Sequence, residues 1–208
     1  MSRQGDRLQR VAVRGMQAII AAILLWGLWT TNVSIVVNGT VGLLVTFLPG
    51  VLDRDYEITL GPWLTFLLTF AILAHTVGIT GPYRGVWWWD NVTHTLSAAI
   101  VAVVGYATTK ALDEHVEDIY LPPDFMYAFI GLFTLATGVV WELLEFFARE
   151  LARLTGQDAV LIQYGVRDTI LDLLFDAVGA IIAAIVGVPR VQNLIESIET
   201  ALETRDRP

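Results

Sequence analysis

At 208 residues, 55% hydrophobic and with a mean hydropathy of +0.59, the chain is too apolar for a soluble globule of its length. Its formal net charge of −8 argues against nucleic-acid binding and against electrostatic attraction to anionic lipid. The lack of cysteine excludes disulfides and thiolate metal sites, so any metal must be held by His and carboxylates.

Several segments reach the ~18 apolar residues that mark a membrane crossing, and no long polar region is left over. The expectation is an all-α, polytopic membrane bundle of about six helices, organised as a single integral membrane domain over residues 1–208. Arg3, Arg7, Arg10 and Arg14 precede the first apolar run, residues 13–29, which lacks a small-x-small cleavage site and reads as a retained helix. A second crossing over 33–49 is ended by Pro49-Gly50, and residues 51–57 read as a polar loop. Asn32 and Asn38 lie in glycosylation-like sequons but too close to the membrane to carry a glycan.

The third crossing, 61–80, opens on Gly61-Pro62 and carries His75 near its far end. After a turn at Gly81-Pro82-Tyr83-Arg84-Gly85, the triple tryptophan Trp87-Trp88-Trp89 forms an interfacial anchor for the fourth crossing, 90–108. That helix opens with Asp90, His94 and Ser97 on one face. An acidic loop with Asp113, Glu114, Glu117 and Asp118 includes His115, a solvated residue, and leads to the fifth crossing, 126–147, which contains Trp141-Glu142-Leu143-Leu144-Glu145. A loop of roughly twenty residues with Arg149, Arg153 and Arg167 has the length of a binding loop or lid. The sixth crossing, 168–186, opens with Asp168, Asp172 and Asp176 at helical spacing. Residues 189–204 form a short amphipathic helix, with an apolar stripe of Val191, Leu194, Ile195, Ile198 and Leu202 opposite Glu196, Glu199 and Glu203. It reads as a helix lying at the interface, its acidic face open to a membrane-protein partner or to the protein's own underside.

An even number of crossings puts both termini on one side, and the arginine distribution assigns that side to the cytoplasm of a cell (plasma) membrane. Because adjacent helices alternate in direction, the end of the third, the start of the fourth, the end of the fifth and the start of the sixth meet on one face. His75, Asp90, His94, Glu142, Glu145, Asp168, Asp172 and Asp176 are thereby brought to similar depth.

Unpaired carboxylates at mid-membrane cost about 2.5–3.5 kcal/mol each on insertion scales, so something must compensate them. A divalent cation would do so: imidazole with carboxylates suits Zn, Mn or Fe, and carboxylates with water suit Mg. The candidate ligands are Asp90, His94, Asp168, Asp172, Glu142, His75 and Asp176. Glu142 or Glu145 could act as general base and Arg167 as an anion clamp, in metal-dependent hydrolysis or transfer on a lipid or lipid-linked substrate. Two other classes stay open. One is a cation or proton transporter, although helix six offers only Gly179, Ala180, Ile181 and Ile182 below Asp176. The other is a non-catalytic subunit in which Arg84, Arg149 and Arg167 neutralise carboxylates while Asp90 and Asp168 cap their helices. Such a subunit would show a partner the small-residue face of Ala98, Ala99, Ala102, Gly179 and Ala183, unless that face serves internal packing. The single lysine, Lys110, and the acid-rich loops are like those of proteins from high-salt organisms.

Three pieces carry a family resemblance: Tyr83 with Trp88-Trp89-Asp90-x-x-x-His94-x-x-Ser97, then Trp141-Glu142-x-x-Glu145, then Asp168-Thr169-x-x-Asp172-x-x-x-Asp176-x-x-Gly179. Together, over residues 61–185, they resemble the YjdF-like family of small polytopic membrane proteins, and the Asp-x-x-x-His helix start more distantly resembles VanZ-like proteins. The resemblance implies a bundle of five or six helices and supports grouping Asp90, His94, Glu142, Glu145, Asp168 and Asp172. It implies no reaction.

Overall fold

The computed structural model describes residues 3–156, 159–161 and 163–206. Nine α-helices are found among them: α1 (Arg3–Trp29), α2 (Val33–Val45), α3 (Leu48–Tyr56), α4 (Gly61–Ile79), α5 (Pro82–Gly85), α6 (Trp89–His115), α7 (Pro123–Thr155), α8 (Val166–Ile182) and α9 (Gln192–Asp206). A π-helical turn, Ala183–Gly187, and a 3₁₀ turn, Val188–Arg190, prolong α8. Six stretches are long and apolar enough to cross a membrane: Arg7–Trp29, Val33–Tyr56, Gly61–Ile79, Trp89–His115, Pro123–Thr155 and Val166–Arg190. The chain is a multi-pass helical membrane bundle.

Helix α6 is the hub, packing against α4, α7, α8 and α9, while α1 and α2 join the bundle through α4. Small side chains set its closeness to α8. Ala98, Ala99 and Ala102 are buried on α6, and a Cβ added at Gly179 of α8 would lie 2.5 Å from the Thr95 carbonyl oxygen. Without side chains in the way, van der Waals contact between backbones holds the pair together where lipid offers no hydrophobic drive. The small-residue face therefore serves internal packing.

Residues 51–57, expected as a polar loop, instead contain most of α3, ending at Glu57 in a left-handed conformation. Pro49 does not stop the chain here because it sits at the second position of α3, where its missing N–H removes no helical bond. The break between α2 and α3 frees the Thr46 carbonyl, and the buried Gln17 of α1 donates to it at 3.3 Å and to Thr46 Oγ1 at 3.2 Å. Helix α7 also runs on past the expected end to Thr155, so Arg149 and Arg153 lie on a helix. With 33 residues it is about 50 Å long, well beyond a hydrocarbon core of about 30 Å.

The tail helix α9 does not lie free at an interface. Val191, Leu194 and Ile195 are buried in the same cluster as Leu64, Val103, Ala107 and Ala111, and Ser197 Oγ accepts the Thr59 N–H at 3.2 Å. Its apolar stripe covers the protein's own underside. Leu194→Ala should therefore destabilise the fold by about 2–5 kcal/mol, read as a lowered melting temperature in detergent, whereas the exposed Glu196→Ala should leave it unchanged. Equal melting temperatures for Leu194→Ala and wild type would restore the interfacial placement.

Candidate metal centre

His94 lies one turn into α6 and is 9% exposed. Its two ring nitrogens face opposite groups. Nε2 lies 3.7 Å from Asp90 Oδ1 on its own helix and 3.9 Å from Asp172 Oδ1 on α8. Nδ1 lies 3.2 Å from Asp176 Oδ1, one turn further along α8. Asp172 and Asp176 thus straddle the imidazole, an arrangement that depends on the close α6–α8 approach at Gly179.

One ligand atom each from Asp90, His94 and Asp172 lies within 4.8 Å of the others, and this group could hold a metal ion. Donors of a tetrahedral zinc site stand about 3.3–3.6 Å apart, given bond lengths of about 2.0–2.2 Å. The His94 separations of 3.7 and 3.9 Å exceed this by a few tenths of an ångström, and the group as a whole, spread within 4.8 Å, closes by up to about 1 Å to hold such an ion. Asp176 is not a fourth ligand in this geometry. It sits behind the imidazole, where accepting the Nδ1–H leaves Nε2 as the free donor for a metal, a role that carboxylates commonly play beside metal-bound histidine.

The acids around this group are short of partners. Asp172 is 2% exposed, Asp176 4% and Glu142 4%. One oxygen of each, Asp172 Oδ2, Asp176 Oδ2 and Glu142 Oε1, has no hydrogen bond. Among the described residues, the only side chain in an ion pair with these carboxylates is His94, and no arginine reaches them. The carboxylate–arginine network expected for a purely structural cluster is not formed there. Burying this many acids with one imidazole leaves a charge deficit that a cation or bound protons must fill.

Helix α7 supplies the two glutamates, and they differ. Glu142 Oε2 accepts from Thr169 Oγ1 at 2.7 Å and Gln163 Nε2 at 3.4 Å and is held toward α8. Glu145 Oε1 accepts from Trp141 Nε1 at 3.0 Å, and Glu145 lines a cavity of about 310 Å³ together with Asp90, His94 and Asp176. Of the two candidate bases, Glu145 is the one that faces open space.

Two expected members have other partners. His75 has both ring nitrogens occupied: Asn38 donates its amide to the Ser34 and Val160 carbonyls, so its Oδ1 accepts His75 Nε2–H at 3.0 Å, and His75 Nδ1 then accepts the Tyr83 hydroxyl at 2.8 Å. Burial pushes the Tyr83 phenol above its ordinary range, which keeps it a donor. His75 is thus a wall residue of the cavity and not a metal ligand. Asp168 accepts the Tyr164 backbone N–H at 2.9 Å from the first turn of α8, whose cap position is Gly165, so it does not cap the helix, and it stands outside the metal group. Arg167 is exposed, as is Ser97, which lines the cavity.

In the sequence Asn38 stands out only as part of a glycosylation-like sequon and Thr169 only as a position of the family motif, and Gln163 not at all. An asparagine within an apolar run was the available signal for Asn38. The loop before α8 binds across the bundle end, with the Val160 carbonyl on Ser34 Oγ at 3.0 Å and Tyr164 Oη donating to the Tyr83 carbonyl at 3.1 Å. It closes over the acids.

Asp176 also abuts α7 at Gly138, where an added Cβ would fall on Asp176 Oδ2, whereas a Cβ at Gly131 on the same helix meets nothing within 4 Å. Gly138→Ala should destabilise by about 1–3 kcal/mol, and Gly131→Ala should be neutral or slightly stabilising. Detergent melting curves of the two variants check this, and equal curves would contradict the placement of Asp176.

Neither the curated proteins nor the solved structures include a match to this chain. A family model described as "Predicted membrane protein (DUF2238)" matches residues 12–193. That span starts inside the first crossing and takes in the other five and every residue of the acid–histidine cluster, and the chain belongs to this family.

Proposed function

We propose that the protein binds a divalent metal ion through Asp90, His94 and Asp172, and that this centre serves hydrolysis or group transfer on a lipid or lipid-linked substrate. The observation that carries the reading is the convergence of three ligating atoms within 4.8 Å, in a cluster whose neighbouring acids lack cationic partners among the described residues. A mixed imidazole–carboxylate donor set favours Zn or Mn over Mg. Bound there, the ion would supply Lewis acidity and a water of lowered pKa. The chain's own residues do the rest. Asp176 fixes the His94 ring, Glu142 is held by Thr169 and Gln163 to add negative charge beside the ion, and Glu145 faces the cavity as the proton acceptor.

In this reading both termini are cytoplasmic, the centre lies in the outer leaflet of the cell membrane, and the exposed Arg84 and Arg167 lie on the same side as anionic headgroups. The segments that resemble YjdF-like and VanZ-like proteins contribute the whole centre, which is why we group them with it. A cation or proton transporter would need polar groups continuing to the opposite face; beyond Asp176 the cavity is lined by Ala71, Ile72, Ala98 and Val101, and the hydroxyls of Thr134 and Thr137, which also line it, are bonded to carbonyls of their own helix. A membrane-protein partner reaching the tail would meet its acidic face, since the apolar stripe is covered.

Metal analysis of protein purified without chelator should find about one ion per chain. Asp172→Asn and Asp90→Asn should abolish it, while Asp176→Asn should retain the stoichiometry with affinity weakened about 10–100-fold. Wild-type protein that stays metal-free in metal-replete buffer would refute the reading. For the reaction, Glu145→Gln should slow headgroup release from lipid substrates by about 10²–10⁴-fold at unchanged metal content, and equal turnover would remove Glu145 from the chemistry.

A further inference from the structure

The cavity that Glu145 lines has two unlike ends. At one end stand Asp90, His94 and Asp176, whose buried Oδ2 has no hydrogen bond. The other end is mostly apolar: Val41 and Val45 of α2 form one wall, Thr134 and Thr137 of α7, with their hydroxyls bonded to their own helix, form the other, and Ala71, Ile72 and Val101 form the floor. Helix α2 leans on α1 and α4, whereas α7 leans on α6 and α8, so the cavity runs as a groove between α2 and α7 with α4 and α6 beneath. Val41 is 55% exposed on the lipid side of the bundle, which makes the groove's apolar end open sideways to the bilayer. A solute arriving from water would have no use for that apolar half.

The volume is about 310 Å³, at the small end for ligand pockets and short of what a whole two-chain lipid needs. Arg84 and Arg167 are exposed and neither lines the cavity, and Arg149 donates to the carbonyl of Gln163, which itself donates to Glu142. A divalent metal at the base would attract an oxyanion.

We infer that the groove between α2 and α7 takes one aliphatic chain from the side, and that its substrate is a single-chain lipid ending in a phosphate placed against the Asp90–His94–Asp172 centre. This rests on the metal reading, which supplies the cation that lets a phosphate enter an acidic pole. The chain provides depth and register, so the reacting bond is the one at the lipid's polar end.

The test uses the full-length, metal-loaded protein and dodecyl phosphate carrying a diazirine at the chain end. The label should map to peptides containing Val45, Ile72 and Val101. It should fall about tenfold in Val101→Trp and in Val45→Trp, from the floor and from one wall of the groove, with metal content and monodisperse elution unchanged. It should also fall when the metal is stripped. Labelling spread over the outer helix faces and indifferent to both tryptophans, in protein that holds its metal, would overturn the groove and leave the metal centre standing. Equal groove labelling by the matching dodecyl trimethylammonium probe, or phosphate labelling that survives metal removal, would overturn the phosphate head. Metal content measured on the same samples reports separately whether the underlying centre exists.

Discussion

Charge compensation in a low-dielectric bundle is the constraint on which the rest of this structure depends. Asp172, Asp176 and Glu142 are nearly inaccessible, Glu145 and Asp90 stand beside them, and His94 is the one basic side chain paired with this group among the described residues. An ionised carboxylate without a partner at such a depth is costly enough that several together would exceed the stability of an ordinary domain. Because they share one small volume, bound protons or a single divalent ion can compensate several of them together.

Bringing them together is the task of the helix packing. Alternating helix direction delivers the acids to one end of the bundle, and two glycines set the final distances. Gly179 lets α8 approach the backbone of α6, which places Asp172 and Asp176 on either side of the imidazole, and Gly138 leaves room for the Asp176 carboxylate against α7. Around this the hydrogen bonds are directional. Asn38 is pinned by two backbone carbonyls and thereby fixes the His75 tautomer, and Tyr83 follows from His75. The loop before α8 ties Val160, Gln163 and Tyr164 to three different helices and covers the cluster. A polar site inside a membrane bundle is stable only when such partners are supplied from the bundle itself.

Much of this was legible in the chain. Long apolar runs identify membrane crossings by length alone, and counting crossings sufficed to group Asp90, His94, Glu142 and Asp172 before any distance was known. What escaped depends on three-dimensional choices that spacing does not encode. Pro49 reads as a stop signal, yet at the second position of a new helix it is harmless, so α3 was taken for a loop. Arg149 and Arg153 read as loop residues, but α7 simply outruns the bilayer. Asp168, Asp172 and Asp176 share one helical face, and spacing does not tell Asp172, on the Nε2 side of His94, from Asp176, on its Nδ1 side, or either from Asp168, which accepts the Tyr164 N–H instead. His75 looked like a ligand because its partner Asn38 is distant in sequence, and the α9 stripe looked interfacial because nothing local tells lipid from the underside of α6.

The account stands or falls on His94 as a metal ligand through Nε2. X-ray absorption spectroscopy of the zinc-loaded protein tests this directly. The account predicts a coordination shell with one imidazole nitrogen and carboxylate oxygens, the imidazole contribution disappearing in His94→Gln. A shell of oxygens alone, identical in wild type and His94→Gln, would contradict it.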